Sequence, residues 1–295
     1  MLKMKSQYDF SIRDRLGQIW LDTDIHAYVK IENFIFVSLD LRSLSQTTIP
    51  AELPSGLIMG ERIDNQFKPQ VQNLRQVLNP KDKLKLISRI KNEMERSFET
   101  IVEGSNEYRA LNKWVGELGL KVNQVQVRPL VHEFYIYKTN DVLKQLQNLM
   151  KERGKLRAKV MIKPDPSRGN IQLAFPEEFD KNWVRAMGSL LGYPKCCVDR
   201  YSTDIESGIN TELRASNQLK ECESADPHAY FNSYFFPCSP ICEKAIEKGK
   251  YYYEKLTEVA PELAQVYAQI LRENLNRVSQ QPEIIRRHLE RLRDV

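Results

Sequence analysis

The sequence predicts an α+β protein: a mixed first half with antiparallel strands, then an all-α second half. Three observations predict this. Short β-branched and aromatic runs fall before residue 164, and three- and four-residue apolar periodicity dominates beyond it. All five cysteines (Cys196, Cys197, Cys222, Cys238, Cys242) lie within residues 196–242, and the first 195 residues contain none. Charge is segregated as well: residues 79–163 hold 18 Lys and Arg against 10 Asp and Glu, whereas residues 164–295 hold 17 against 20. The expected domains are therefore 1–163, α+β with a basic segment at 79–163, and 170–295, helical and cysteine-bearing.

Composition excludes several classes. With 295 residues, 41% hydrophobic and 28% charged, a chain of this size buries about three quarters of its unfolded surface and needs no staples to fold. Mean hydropathy is −0.51, and no apolar run approaches the ~20 residues of a membrane span. The opening MLKMKSQYDF lacks the apolar core of a signal peptide. A cytoplasmic setting is the expectation.

Residues 27–31 and 34–39 are aromatic and β-branched and flank Glu32-Asn33, which reads as a β-hairpin. Residues 43–60, polar with two prolines, read as a loop, and 61–78 as a weakly patterned helix. Asn79, Pro80 and Asp82 open an amphipathic helix to about residue 103, and a second helix covers 106–118. Strands follow near 124–128 and 131–137, then a helix at 140–152. Over 155–163, Leu156, Ala158, Val160 and Ile162 alternate with Lys155, Arg157, Lys159 and Lys163, a period-two pattern that predicts a strand with a basic outer ridge. A loop at 164–169 marks the domain boundary. Helices are then expected near 183–190, 195–206, 209–223, 240–258, 261–279 and 283–293.

Two stretches carry the chemistry: Gly192-Tyr193-Pro194-Lys195-Cys196-Cys197 and Phe236-Pro237-Cys238-Ser239-Pro240-Ile241-Cys242. Each places proline and cysteines at a helix start, where free N–H groups and the positive dipole end stabilise thiolates. Three readings stand side by side. The thiolates of Cys196, Cys197, Cys238 and Cys242 bind an iron–sulfur cluster or, alternatively, zinc; they act as a thiol–disulfide redox pair or nucleophile; or they fill small apolar spaces. The spacing fits neither a zinc ribbon nor a ferredoxin run. Cys222, near a helix end, and His228, in a proline-containing loop, are secondary candidates for ligands, each with a packing or capping role as the plainer alternative. His132 and Tyr251-Tyr252-Tyr253 read as core residues.

The string GYPKCC followed by FFPCSPICEKAIEKGKYYYEKL resembles a largely archaeal group, domain-of-unknown-function family 483. The resemblance rests on Gly192, Tyr193, Pro194, Cys196 and Cys197, then Pro237, Cys238 and Cys242. It implies a shared cysteine site and a cytoplasmic setting, and no activity.

The basic segment suits a phosphate-rich partner, with RNA, and tRNA in particular, fitting best. Arg157, Lys159 and Lys163 are its candidate contacts, although no RNP signature, phosphate loop or zinc finger accompanies them. The alternative is a solvated face. The functional expectation is a sulfur-transfer or redox enzyme acting on such a substrate. The alternatives are a non-catalytic RNA- or DNA-binding module with structural cysteines, and a thiol–disulfide redox protein.

Overall fold

The computed structural model describes residues 10–168 and 171–293. The opening nine residues and Gly169 of the expected boundary loop lie outside them. The chain divides into two compact units. One runs to Asp40 and resumes over Leu44–Lys138; the other takes Leu41–Ser43 and everything from Thr139 onward.

The first unit is built on a three-stranded antiparallel sheet, order β1-β3-β2, from β1 (Leu44–Ile49), β2 (Lys121–Arg128) and β3 (Val131–Tyr137). Leu44 pairs with Tyr137 and Ile49 with His132; Gln124 pairs with Phe134. Central β3 buries Phe134, Tyr135, Ile136 and Tyr137 in succession, as a strand covered on both faces must. Helices α1 (Phe10–Leu21), α2 (Phe36–Ser38), α3 (Gly56–Gln76), α4 (Pro80–Phe98) and α5 (Asn106–Glu117) complete it. Asn79 caps α4 and Ser105 caps α5 through their side-chain oxygens.

Two expectations fail here. Residues 27–39 form no hairpin: a wide π-helical turn over Val29–Ile35 runs straight into α2, and every residue from Val29 to Val37 is buried. The segment is enclosed on all sides, with Lys30, Glu32 and Asn33 buried alongside its apolar residues, so no polar face marks a 3.6-residue period and its β-branched and aromatic runs read like strand. Conversely, the polar run from 43 supplies β1. Glu52 closes the turn after it, accepting from Thr47 Oγ1 (2.9 Å) and the Thr48 N–H (2.8 Å).

The second unit is helical: α6 (Asn140–Ile162), α7 (Ile171–Ala174), α8 (Lys181–Leu190), α9 (Lys195–Glu206), α10 (Thr211–Lys220), α11 (Glu243–Val259) and α12 (Pro261–Arg293). The strand expected at 155–163 does not exist; α6 continues through it. Lys, Leu, Arg, Ala and Met are strong helix formers, and their alternation in sequence is incidental. Buried Arg153 also ties this stretch down, 2.5 Å from Glu177 in the turn Pro176–Phe179. Similarly, the two last helices expected are one, running through Pro282.

The loop leading to the second cysteine pair is clamped between α11 and α12. Tyr267 donates to the Phe231 carbonyl (2.8 Å), Asn274 to that of Tyr230 (3.1 Å) and Arg277 to that of Ser233 (2.9 Å). On the α11 side the His228 carbonyl lies only 2.1 Å from where a Cβ on Gly249 would stand. Gly249→Ala is therefore expected to destabilise the protein by roughly 1–3 kcal/mol through overpacking. Gly154→Ala, with open space around α6, should be neutral or stabilising by up to about 1 kcal/mol. Chemical denaturation of the two variants checks the contrast.

Candidate metal centre

Helix α8 ends in a left-handed reversal. Gly192 has φ +79°, its N–H donates to the Ser189 carbonyl (2.9 Å), and the Tyr193 N–H donates to that of Gly188 (2.8 Å). This is the Schellman pattern, in which glycine takes the positive φ without steric penalty. Pro194 follows as the cap of α9, accepting from the N–H groups of Cys197 (2.9 Å) and Val198 (3.1 Å). The reversal thereby turns the chain so that Cys196 and Cys197 sit in the first turn of α9. Gly188 lets α9 pack close, since a Cβ there would meet Val198 at 2.6 Å.

The second stretch arrives as a turn ahead of α11. Cys238 lies in that turn, and Cys242 is the cap residue of α11. The Cys238 N–H donates to Cys197 Sγ (3.4 Å). Cys196 Sγ stands 3.7 Å from Cys242 Sγ and 3.9 Å from Cys197 Sγ; Cys197 and Cys242 are 3.7 Å apart. All four sulfurs lie within 4.8 Å of one another, and all are free thiols.

The surroundings disfavour an anion at two of the four thiols. Burial pushes the Cys197 thiol well above its ordinary range, with the neighbouring sulfurs' charge adding to it. Cys238 is pushed up to about 11, first by burial and then by Cys242. Cys242 moves the other way: burial opposes ionisation, but the Ala245 N–H and the three surrounding thiols outweigh it. A cation between the sulfurs would reverse these penalties, because each thiolate would then face positive charge.

A buried polar network holds the second stretch in place. Asp204 of α9, fully buried, accepts from Arg214 of α10 (2.9 Å) and from Arg200 (2.9 Å). Arg214 in turn donates to the Pro237 carbonyl (2.8 Å), and Gln218 donates to that of Cys238 (3.3 Å). The backbone that presents Cys238 is thus fixed by α9 and α10. Sequence reading missed Asp204, Arg214 and Gln218. Their only local signals are the four-residue steps Arg200–Asp204 and Arg214–Gln218, which are common on solvated helices.

The two secondary candidates are not brought to the sulfurs. Cys222 lies past the end of α10, its N–H on the Leu219 carbonyl. His228 Nδ1 is 2.8 Å from Asp226 Oδ1, and its ring meets Tyr253 edge-on. Of the candidate basic contacts, Lys159 and Lys163 are exposed on and just past α6, whereas Arg157 is half-buried, 3.8 Å from Glu177.

Residues 121–267 match the model of a family described as a protein of unknown function, DUF483. This bears out the resemblance carried by the GYPKCC and PCSPIC elements. The uncharacterized protein MJ1106 of Methanocaldococcus jannaschii is 34% identical over 87 residues, covering 26% of this chain and 46% of that protein. The match thus spans less than half the relative's length. No solved structure matches. Among the described residues, no helix is long and apolar enough to cross a membrane.

Removing one partner of the buried Asp204–Arg214 pair leaves an uncompensated charge. Asp204→Asn is expected to cost roughly 3–5 kcal/mol in urea unfolding. Gln218→Ala, which removes the bond to the Cys238 carbonyl and the one Gln218 accepts from Arg214 (2.7 Å), should cost about 1–3 kcal/mol.

Proposed function

We propose that this chain, which belongs to the DUF483 family over residues 121–267, holds a single metal ion through Cys196, Cys197, Cys238 and Cys242. One observation carries the reading. Sulfurs around an ion with metal–sulfur bonds of about 2.3 Å stand ~3.8 Å apart along the edge of a tetrahedron, and three of the sulfur pairs here are 3.7–3.9 Å apart. In an iron–sulfur cluster four thiolates are shared among two or four irons and spread wider as a set, so four sulfurs within 4.8 Å favour one ion, with zinc first. The ion joins the start of α9 to the turn before α11, and a sulfur-transfer or redox step, if carried out, would draw on the same thiolates.

Metal analysis of anaerobically purified protein tests this. The expected result is one zinc, or one iron without inorganic sulfide, per chain. Cys197→Ser, Cys238→Ser and Cys242→Ser should each abolish it. Affinity should rise with pH, because binding releases thiol protons. A metal-free protein with reversible disulfides among these cysteines would instead establish the thiol-redox reading.

A second observation favours a phosphate-rich partner, RNA in particular, for the helical unit. Lys151, Lys155, Lys159 and Lys163 recur at four-residue steps and are all exposed, forming a slanted row along and just past α6. Lys151 and Lys155 also line an open cleft of about 670 Å³ that α6 shares with α8. The basic ridge read as a strand edge is thus carried by a helix face instead. Reversing Lys155, Lys159 and Lys163 to Glu should abolish tRNA binding and flatten its salt dependence, whose log–log slope falls by about 0.9 per lost duplex phosphate contact. A filter-binding series at several salt concentrations reads both. Absence of binding by the unmodified protein at low salt removes the reading.

A further inference from the structure

We propose that Cys196 is the reactive, exchangeable sulfur of the site, open to soft electrophilic carbon, while Cys197, Cys238 and Cys242 keep the ion. The inference rests on the single-ion reading above. Two observations separate Cys196 from its partners. It is exposed, whereas Cys197 and Cys242 are 2% and 8% exposed and Cys238 is half-buried. Among the described residues no N–H reaches its sulfur, whose contacts are the sulfurs of Cys197 and Cys242. By contrast, the Cys238 N–H donates to Cys197, the Ala245 N–H favours the anion of Cys242, and Gln218 holds the Cys238 carbonyl.

An N–H directed at a thiolate draws off electron density, which lowers its nucleophilicity and secures it as a ligand; burial blocks access as well. Cys196 has neither protection. Four thiolates on one divalent ion also leave a net charge of −2, which drives electron density onto the accessible sulfur. In the reaction, an electron pair of Cys196 Sγ forms the S–C bond as the bond from carbon to its leaving group breaks. The leaving group departs with that bond's electrons. The metal-bound sulfur carries no proton to lose, and no oxidant or reductant is consumed. The product is a neutral thioether, which reduces the net negative charge of the site by one.

Iodoacetamide is the probe: its carbon is attacked and iodide leaves. The zinc-loaded full chain is treated with limiting reagent. Each cysteine's modification is followed by peptide mass spectrometry, and released zinc by a coloured chelator. Cys196 is expected to react at least tenfold faster than Cys197, Cys238 and Cys242, with zinc retained after that single modification. Cys196→Ser should still take up one zinc at about 10–100-fold lower affinity, where Cys197→Ser takes up none. Uniform modification of the four sulfurs, or zinc lost in step with the first alkylation, overturns the inference and leaves the single-ion reading standing. A chain that takes up no metal overturns both.

Discussion

Four thiols held within 4.8 Å of one another make a site in which two of them, Cys197 and Cys238, resist ionisation. Burial and the charge of neighbouring sulfurs raise the cost of an anion at Cys197 and at half-buried Cys238, while Cys242 is shifted the other way. Much of the second unit serves to impose that crowding. The reversal at Gly192 directs the start of α9 toward the other stretch, and the Asp204–Arg214 pair grips the Pro237 carbonyl just before Cys238. The clamp on residues 230–233 from α12 sets where that stretch begins. A fold that spends a buried ion pair on presenting thiols to one another is organised around that cluster of sulfurs.

The site was more legible in the sequence than the fold around it. Proline-led cysteine stretches announce themselves because glycine, proline and cysteine each report a local backbone or chemical requirement. Gly192 reports a positive φ, Pro194 a helix start, and the vicinal pair a concentration of sulfur. Glycine and proline likewise mark the break between α8 and α9, while the side-chain caps Asp180 before α8 and Asn210 before α10 went unread in the sequence. Which of Cys222 and His228 would join the sulfurs was not legible, because that is decided by how α10 and the turn at 227–230 pack.

The failures share one cause. Residues 29–37 are buried on every side, Lys30, Glu32 and Asn33 included, so nothing in their sequence distinguishes inside from outside, and the helical turn looks like paired strands. Residues 155–162 fail in the opposite sense. They face largely outward, so packing leaves little mark on them, and a chance alternation of lysine with apolar residues mimics a strand. In each case periodicity requires one face to differ from the other in environment. Val142 and Leu146 anchor the start of α6, but its continuation is held by Arg153, buried against Glu177, and an arginine in a basic run gives no warning of it.

Cys197 and Cys238 are separated by forty intervening residues, and the helices α9 and α10 lie inside the ring that an ion would close between them. Such a cross-link removes chain entropy from the unfolded state, by about 4 kcal/mol on the loop-closure scale used for disulfides. With an ion in place, α10 and its Arg214 are held in a covalently and coordinatively closed circuit. The firmness of that circuit then depends on how much free metal surrounds the protein. The persistence of this region in a cell would therefore track metal supply as directly as it tracks temperature.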